Sequence, residues 1–263
     1  MAEADAFKHS TPALYDRYMG PLLFEPYAKF VAERLALLQP ARILETAAGT
    51  GIVTRAVHEA VPHAVIVATD INAGVVEFAA QHVDSERVTF EQADAQDLPF
   101  ADAGFDLVVC VFGVMFFPDK VRANGEARRV LGSGGQYVLV SFDRLEANPV
   151  SKAAGDAVDA LFPDAPPLYM QRGPFSYADP TIIEHDLRAA GFTEIELETV
   201  ALSSRVSAGD AAHGLVLGSP LRSEIERRDP SALDRATNAV TQALLPWDGR
   251  DAPISAHVAT ATA

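Results

Sequence analysis

Residues 43–57 read "ILETAAGTGIVTRAV": the apolar pair Ile43 and Leu44, then small residues around Gly49 and Gly51, then a helical pattern. Such a stretch predicts a buried strand, a tight turn and a helix. Small residues at the turn let the backbone approach another group closely, and the following helix begins with free N–H groups. Two readings fit these residues alone: a compact strand-to-helix connection, or a ligand lying against the turn.

The flanking segments repeat the rhythm. "AVIVATD" (residues 64–70) has strand length and composition, and residues 73–83 follow as an amphipathic helix. "RVTFEQAD" (87–94) alternates as a third strand, and "FDLVVCVFGV" (105–114) is apolar enough to be buried on both faces as a fourth. A helix over 121–131 is expected to stop at the "GSGG" breaker (132–135), before a fifth strand over 136–142. Strands alternating with helices imply a parallel sheet with right-handed crossovers.

Around this centre the pattern is looser. Residues 15–38 carry apolar residues at helical spacing, which Pro21 and Pro26 are expected to break or bend. A proline-rich stretch from about 145 to 180 is expected to be irregular. A helix over 181–191 with a glycine stop, a strand over 192–202, helices near 209–217 and 231–245, and an alternating strand over 253–262 complete the chain.

Composition narrows the function. The 263 residues suffice for one large domain, or one domain with an appended cap. The longest apolar run, 107–117, has roughly half the ~20 residues of a membrane span. The first ten residues lack the features of a signal peptide, so a cytoplasmic protein without membrane association is expected. A net charge of −15 argues against a nucleic-acid partner. The single cysteine, Cys110, excludes an internal disulfide and reads as a packed thiol.

In open parallel sheets, ligands bind beyond the carboxyl ends of the strands. The first strand ends in Glu45 followed by Ala47, Gly49 and Gly51. The second ends in Asp70, about 20 residues past the turn, where a carboxylate can accept bonds from two ribose hydroxyls. The third ends in "ADAQDLPF", with Asp94 available to an exocyclic amine such as adenine's. Each signal has a modest alternative: a tight connection, a helix cap or a surface turn. Together they point to a nucleoside-containing ligand. A dinucleotide fingerprint would have glycine where Ile52 stands, and the A-x-G-x-G spacing suits a ligand without a pyrophosphate.

The series "ILETAAGTG", "VATDIN", "EQADAQDLPF" and "FDLVVCVFGVMFFPDK" resembles the motifs of class I S-adenosylmethionine (SAM)-dependent methyltransferases. Within them it is similar to the small-molecule branch with a type 11 methyltransferase domain, which includes ubiquinone and menaquinone biosynthesis enzymes. The resemblance covers about 42–143, and "RAAGFTEIELETV" extends it to that branch's sixth strand. It implies an α/β, Rossmann-like, doubly wound sheet of seven mostly parallel strands with the last antiparallel. An N-terminal helical segment and a helical or irregular cap would accompany it. One domain over 1–263 is expected, with a core at about 40–143 and 180–263 and cap elements at about 1–39 and 145–180.

The resemblance also implies roles. Ala47, Gly49 and Gly51 would pack under the methionine portion of SAM, with Glu45 orienting that network. Asp70 would take the ribose hydroxyls and Ile71 the adenine face. Asp94 would accept from the adenine amine, the Ala95 N–H would bond a ring nitrogen, and Val111 would lie near the sulfonium. Ala47 stands where the commonest pattern has glycine, a change compatible with a negative φ there. No metal is expected. The implied reaction is methyl transfer to a small-molecule acceptor, leaving S-adenosylhomocysteine (SAH). A SAM- or SAH-binding protein without turnover, and an NAD(P)-dependent oxidoreductase, are the alternatives.

In-line methyl transfer needs positioning and desolvation, and only some acceptors need a base. No catalytic residue is assigned. His213 and His185 read as surface or packing residues, and Tyr15 and Tyr18 as candidates to touch SAM or to pack. Residues 115–119, "MFFPD", are expected to line the site of an apolar or aromatic acceptor.

Overall fold

The computed structural model describes residues 12–263. Seven strands, β1 (Arg42–Thr46), β2 (Val65–Asp70), β3 (Val88–Gln92), β4 (Phe105–Val111), β5 (Leu131–Phe142), β6 (Glu194–Arg205) and β7 (Asp251–Thr262), form one sheet in the order β3-β2-β1-β4-β5-β7-β6. The pairs β1–β2, β2–β3, β1–β4 and β4–β5 are parallel, and β7 runs antiparallel to β5. This is the expected mostly parallel, doubly wound sheet. The strand order turns back between β1 and β4, so the carboxyl ends of these two neighbours flank the switch point where such sheets bind ligands.

The helices are α1 (Glu25–Leu38), α2 (Ile52–Ala60), α3 (Ala73–Ala80), α4 (Lys120–Val130), α5 (Pro149–Asp159), α6 (Tyr169–Arg172), α7 (Pro180–Ala189), α8 (Ala208–Leu217), α9 (Leu221–Arg228) and α10 (Leu233–Leu244). In α2, Ile52, Val53 and Val57 are buried, and the helix stops one residue before Val61–Pro62. Leu107, Val108, Val109 and Cys110 of β4 are all buried, as a strand covered on both faces requires. Full burial stabilises each such aliphatic side chain by about 1.5–3 kcal/mol.

Contacts divide the chain into two compact units. One comprises the residues up to Pro26, Arg144–Ser176 and Ala201–Ser255; the other comprises Tyr27–Asp143, Tyr177–Val200 and Ala256–Ala263. In the first unit, α8 packs on α10 and on a π-wound segment, Tyr15–Phe24, while α10 also packs on α5. In the second, β1–β4 carry the candidate residues at or just past their carboxyl ends, and all of β5 lies in the same unit.

Several local expectations need correction. Pro21 and Pro26 do not break the N-terminal helix. Pro21 lies inside the π-wound turn, which runs without a gap into α1, and Pro26 is the second residue of α1. The helix ahead of residues 132–135 does stop where expected, at Val130, but these residues form no loop, because α4 runs directly into β5 at Leu131. Its glycines admit a backbone crossing: a Cβ at Gly135 would meet the Gly132 carbonyl oxygen at 2.9 Å and that of Asp106 at 3.0 Å. The register of β4 against β5 shifts there, between Phe105 and Leu107.

The stretch after Leu145 is irregular only in part: it holds helix α5, with Pro149 at its first position and Val150, Ala154 and Val158 buried at helical spacing, and the short α6, while residues 160–168 and 173–179 are turns and irregular chain. The proline-rich composition masked that period. Helix α9 was also missed, since "LRSEIERR" buries only Leu221 and Ile225. In β7 the alternation ends at Ile254, and residues 254–259 are buried throughout, as befits a strand between β5 and β6.

Candidate functional site

All nine candidate residues lie in the second unit, at the ends of four adjacent strands. Glu45, the penultimate residue of β1, is only 3% exposed. Thr54, on the first turn of α2, donates its hydroxyl to Glu45 Oε2 at 2.6 Å. Burial pushes the Glu45 carboxyl up to about 8. The Thr54 hydrogen bond opposes that rise, nearby Asp70 adds to it and Arg55 pulls weakly the other way. Glu45 therefore stands mostly protonated at neutral pH, an uncommon state for a carboxyl group and one met at functional sites.

The turn after β1 is left-handed three times in five residues: φ is +54° at Ala47, +56° at Gly49 and +79° at Gly51. The negative φ that would accommodate alanine at position 47 is thus absent. Ala47 adopts the conformation that favours glycine, and neighbouring bonds hold it there. The Ala48 N–H donates to the Thr69 carbonyl at 2.9 Å, and the Gly49 N–H donates to Asp70 Oδ2 at 3.0 Å. A Cβ built on Gly49 would meet nothing within 4 Å, so this glycine borders open space. Gly51 differs: a Cβ there would meet Ala79 at 3.3 Å and the Phe90 ring at 3.5 Å. Its role is to pack the turn on α3 and β3, so of the two glycines only Gly49 borders open space.

Asp70 ends β2 and joins the other groups. Besides Gly49, its carboxylate accepts from the Asn72 N–H at 2.9 Å, and its own carbonyl accepts from the Ala93 N–H at 3.0 Å. Burial raises its pKa, against the pull of the backbone donors at Asn72, Gly49 and Ile71. Ile71, just past β2, is 51% exposed. Asp94 follows Ala93 and is half-buried; its carboxylate accepts from the Gln96 N–H at 2.8 Å and from the Gln96 side-chain amide at 3.2 Å. Ala95 is buried beside it. Gln96 also accepts from the Asp119 N–H at 2.8 Å, which ties this turn to the loop after β4.

Val111 ends β4, half-buried. The next residue, Phe112, has φ +56° and stacks on Phe142 at 4.1 Å, with Tyr27 edge-on at 5.2 Å. A bulky residue in this conformation is strained, and such strain gathers at functional sites. Met115 is buried, while Phe116 and Phe117 are half-buried. Cys110 is buried, and burial pushes its thiol up to about 11, which fits a packed thiol.

Sequence reasoning missed a second polar cluster in this unit. His257 of β7 is buried. Its Nε2 lies 3.0 Å from the Ala178 carbonyl and 3.3 Å from Asp143 Oδ1, and its Nδ1 lies 2.9 Å from Thr199 Oγ1. With two acceptors facing it, Nε2 carries a hydrogen. The lone histidine in an apolar strand was the only available signal. Of the residues considered as bases, His185 is exposed beside Asp186, and His213 is exposed with Nδ1 2.8 Å from the Gly209 carbonyl. In the first unit, Tyr15 stacks on Phe24, and Tyr18 is tilted against His213. Among the described residues, no cluster of three His, Cys, Asp or Glu is arranged to hold a metal ion, and no helix is long and apolar enough to cross a membrane.

Residues 44–139 match the family described as a methyltransferase domain. A demethylmenaquinone methyltransferase of Deinococcus radiodurans is 31% identical over 176 residues, covering 61% of this chain and 71% of that protein. The ubiquinone/menaquinone biosynthesis C-methyltransferase UbiE of Pseudomonas aeruginosa is 33% identical over 153 residues, covering 55% of this chain and 60% of that one. A solved Haemonchus contortus N-methyltransferase, in complex with phosphomonomethylethanolamine and SAH, shares the fold with TM-score 0.62 at 16% identity, over 99% of this chain and 60% of that one. The chain belongs to the class I SAM-dependent methyltransferases. Within them it is similar to enzymes named for quinone biosynthesis.

Proposed function

We propose that this methyltransferase holds SAM across the carboxyl ends of β1, β2 and β3 and transfers its methyl group to a small apolar or aromatic acceptor of the quinone-precursor type. The observation that carries the cofactor half is the Gly49–Asp70 arrangement. A left-handed glycine bordering open space has its N–H fixed to a strand-end carboxylate. These residues fit a nucleoside with an amino-acid tail. The Gly49 cradle accepts a chain that a Cβ would obstruct, and Asp70 keeps lone pairs for two ribose hydroxyls.

Under this proposal, Ala47 and Gly49 border the methionine portion, and Gly51 supports their turn from below. Glu45 lies beneath them as the buried acid of the network. Ile71 covers one adenine face, Asp94 accepts from the adenine amine and the Ala95 N–H serves a ring nitrogen. Gln96 orients Asp94. Val111 faces the sulfur. Bound SAM supplies a methyl group on positively charged sulfur. The protein's share is to align the acceptor behind that methyl and to exclude water. Met115, Phe116 and Phe117 are the proposed acceptor wall, and their apolar character suits an aromatic ring. One methyltransferase domain over residues 1–263, acting in the cytoplasm, belongs to the same proposal. The names of the relatives support the acceptor class.

Isothermal titration with SAM, SAH and NAD tests the cofactor: SAM and SAH should bind and NAD should not. Transfer of labelled methyl to a soluble reduced naphthoquinone, compared with phenol, amine and thiol panels, tests the acceptor. Label appearing only in amine or thiol products would overturn the acceptor class.

A further inference from the structure

Two turns of this molecule are each strained, and they meet. Ala47 follows β1 with φ +54°, and Phe112 follows β4 with φ +56°. β1 and β4 are direct neighbours, with Glu45 opposite Val109. Gly113, next to Phe112, has φ −103° and ψ −39°, a conformation open to any residue. Its lack of a side chain is therefore not a backbone requirement. The reason is steric: a Cβ at Gly113 would lie 2.4 Å from the Ala47 Cβ and 3.2 Å from Cys110 Sγ. The Ala47 methyl occupies the volume where a side chain at 113 would go.

The seating has a direction. A left-handed alanine aims its methyl where a right-handed one would not, so the strain at Ala47 and the vacancy at Gly113 fit one another. Ala47 is followed at once by the two N–H groups that fasten the turn, Ala48 to Thr69 and Gly49 to Asp70. A displacement at 113 reaches Asp70 through Ala47 and Gly49 in two covalent steps and one hydrogen bond. Gly113 also begins the segment Val114–Phe116, ahead of Phe117.

We infer that Ala47 and Gly113 are a positioning pair, whose interlock holds the turn after β1 and the turn after β4 in the one mutual arrangement that binds SAM. The inference rests on the SAM reading proposed above and adds to it a residue on β4's side that touches no ligand. Cofactor affinity then depends on residue 113 chiefly through residue 47, with Cys110 Sγ the lesser contact.

A double-substitution cycle tests the pair: Gly113→Ala, Ala47→Gly and both together, with SAM affinity by titration calorimetry and folding by circular dichroism and thermal midpoint. Gly113→Ala should weaken SAM binding by about tenfold or more, the usual scale of forced overpacking. Adding Ala47→Gly should return affinity to within about fivefold of the starting protein, with the residual from the Cys110 contact. A purely structural role would lower the thermal midpoint while leaving the affinity of the folded protein unchanged. Wild-type affinity in Gly113→Ala, or a double variant no better than the single one, would overturn the pair. If Gly113→Ala does not fold, a folded, SAM-binding double variant supports the pair and an unfolded one overturns it. Failure of the unsubstituted protein to bind SAM would sink the SAM reading instead, and the same cycle in thermal midpoints would then decide the interlock.

Discussion

The β1–β3 side of the sheet edge and the β4–β5 side are built on different principles. On the first, the candidate groups sit at or just past strand ends and are fixed mostly by partners close in the chain: Glu45 to Thr54 on the following helix, Asp70 to Asn72, Asp94 to Gln96, with the Asp70–Gly49 bond joining the ends of β2 and β1. On the second, residues far apart in the chain fix one another: Phe112 on Phe142 and Tyr27, Gly113 against Ala47, Asp143 on His257. The local side should serve the cofactor that a large family shares. The non-local side, free to vary by packing, is the place to shape an individual acceptor.

Substitutions can break this contrast or sharpen it. The largest effect is expected from Asp70→Ala. Losing a charged acceptor for the ribose, together with the anchor of Gly49, should weaken SAM by about 3 kcal/mol, roughly 100-fold. Calorimetry on folded variant checks this, and an unchanged dissociation constant would remove Asp70 from the ribose role. His257→Leu comes next. It removes one buried contact each from Asp143, Thr199 and the Ala178 carbonyl, and should cost about 2 kcal/mol of stability by urea denaturation. SAM affinity should change little. A loss of affinity as large as that of Asp70→Ala would erase the distinction between the two sides.

Glu45 gives a pH signature. Its folded pKa of about 8 exceeds the ordinary glutamate value, so the folded state keeps a proton that the unfolded chain has released. Stability of the SAM-free protein should be highest below the unfolded pKa. It should fall as pH rises toward 8, by at most about 1.4 kcal/mol per pH unit. Glu45→Gln should flatten that slope in thermal scans between pH 5 and 8; a slope equal to that of the unsubstituted protein would show that another group carries it. The smallest effect belongs to Asp94→Ala, about 1 kcal/mol in SAH affinity, since Gln96 already takes part of the carboxylate's capacity. An unaltered preference between adenosine and inosine forms of the ligand would contradict the adenine contact.

What could be read from the sequence follows the same division. The strand-turn-helix around Gly49, the strand end at Asp70 and the "ADAQ" turn are each contained within a few residues, so periodicity and turn chemistry expose them. The sheet followed, because alternating strands and helices admit few topologies. The partner of Gly113 was not legible, since a glycine emptied by a neighbour's methyl looks like any other glycine. Nor was the His257–Asp143 contact, whose members come from different strands with no shared motif. Helix α5 was obscured by flanking prolines, and α9 by its nearly all-polar sequence. At Ala47, sequence alone could not foretell a left-handed alanine, because the space that admits it is made by another strand.

A crystal structure of the protein with SAH tests the central claim most directly. The ribose hydroxyls should lie within hydrogen-bond distance of the Asp70 carboxylate, with the adenine over Ile71 and its amine toward Asp94. SAH bound elsewhere, or lying in this crevice with its sugar turned away from Asp70, would contradict the account.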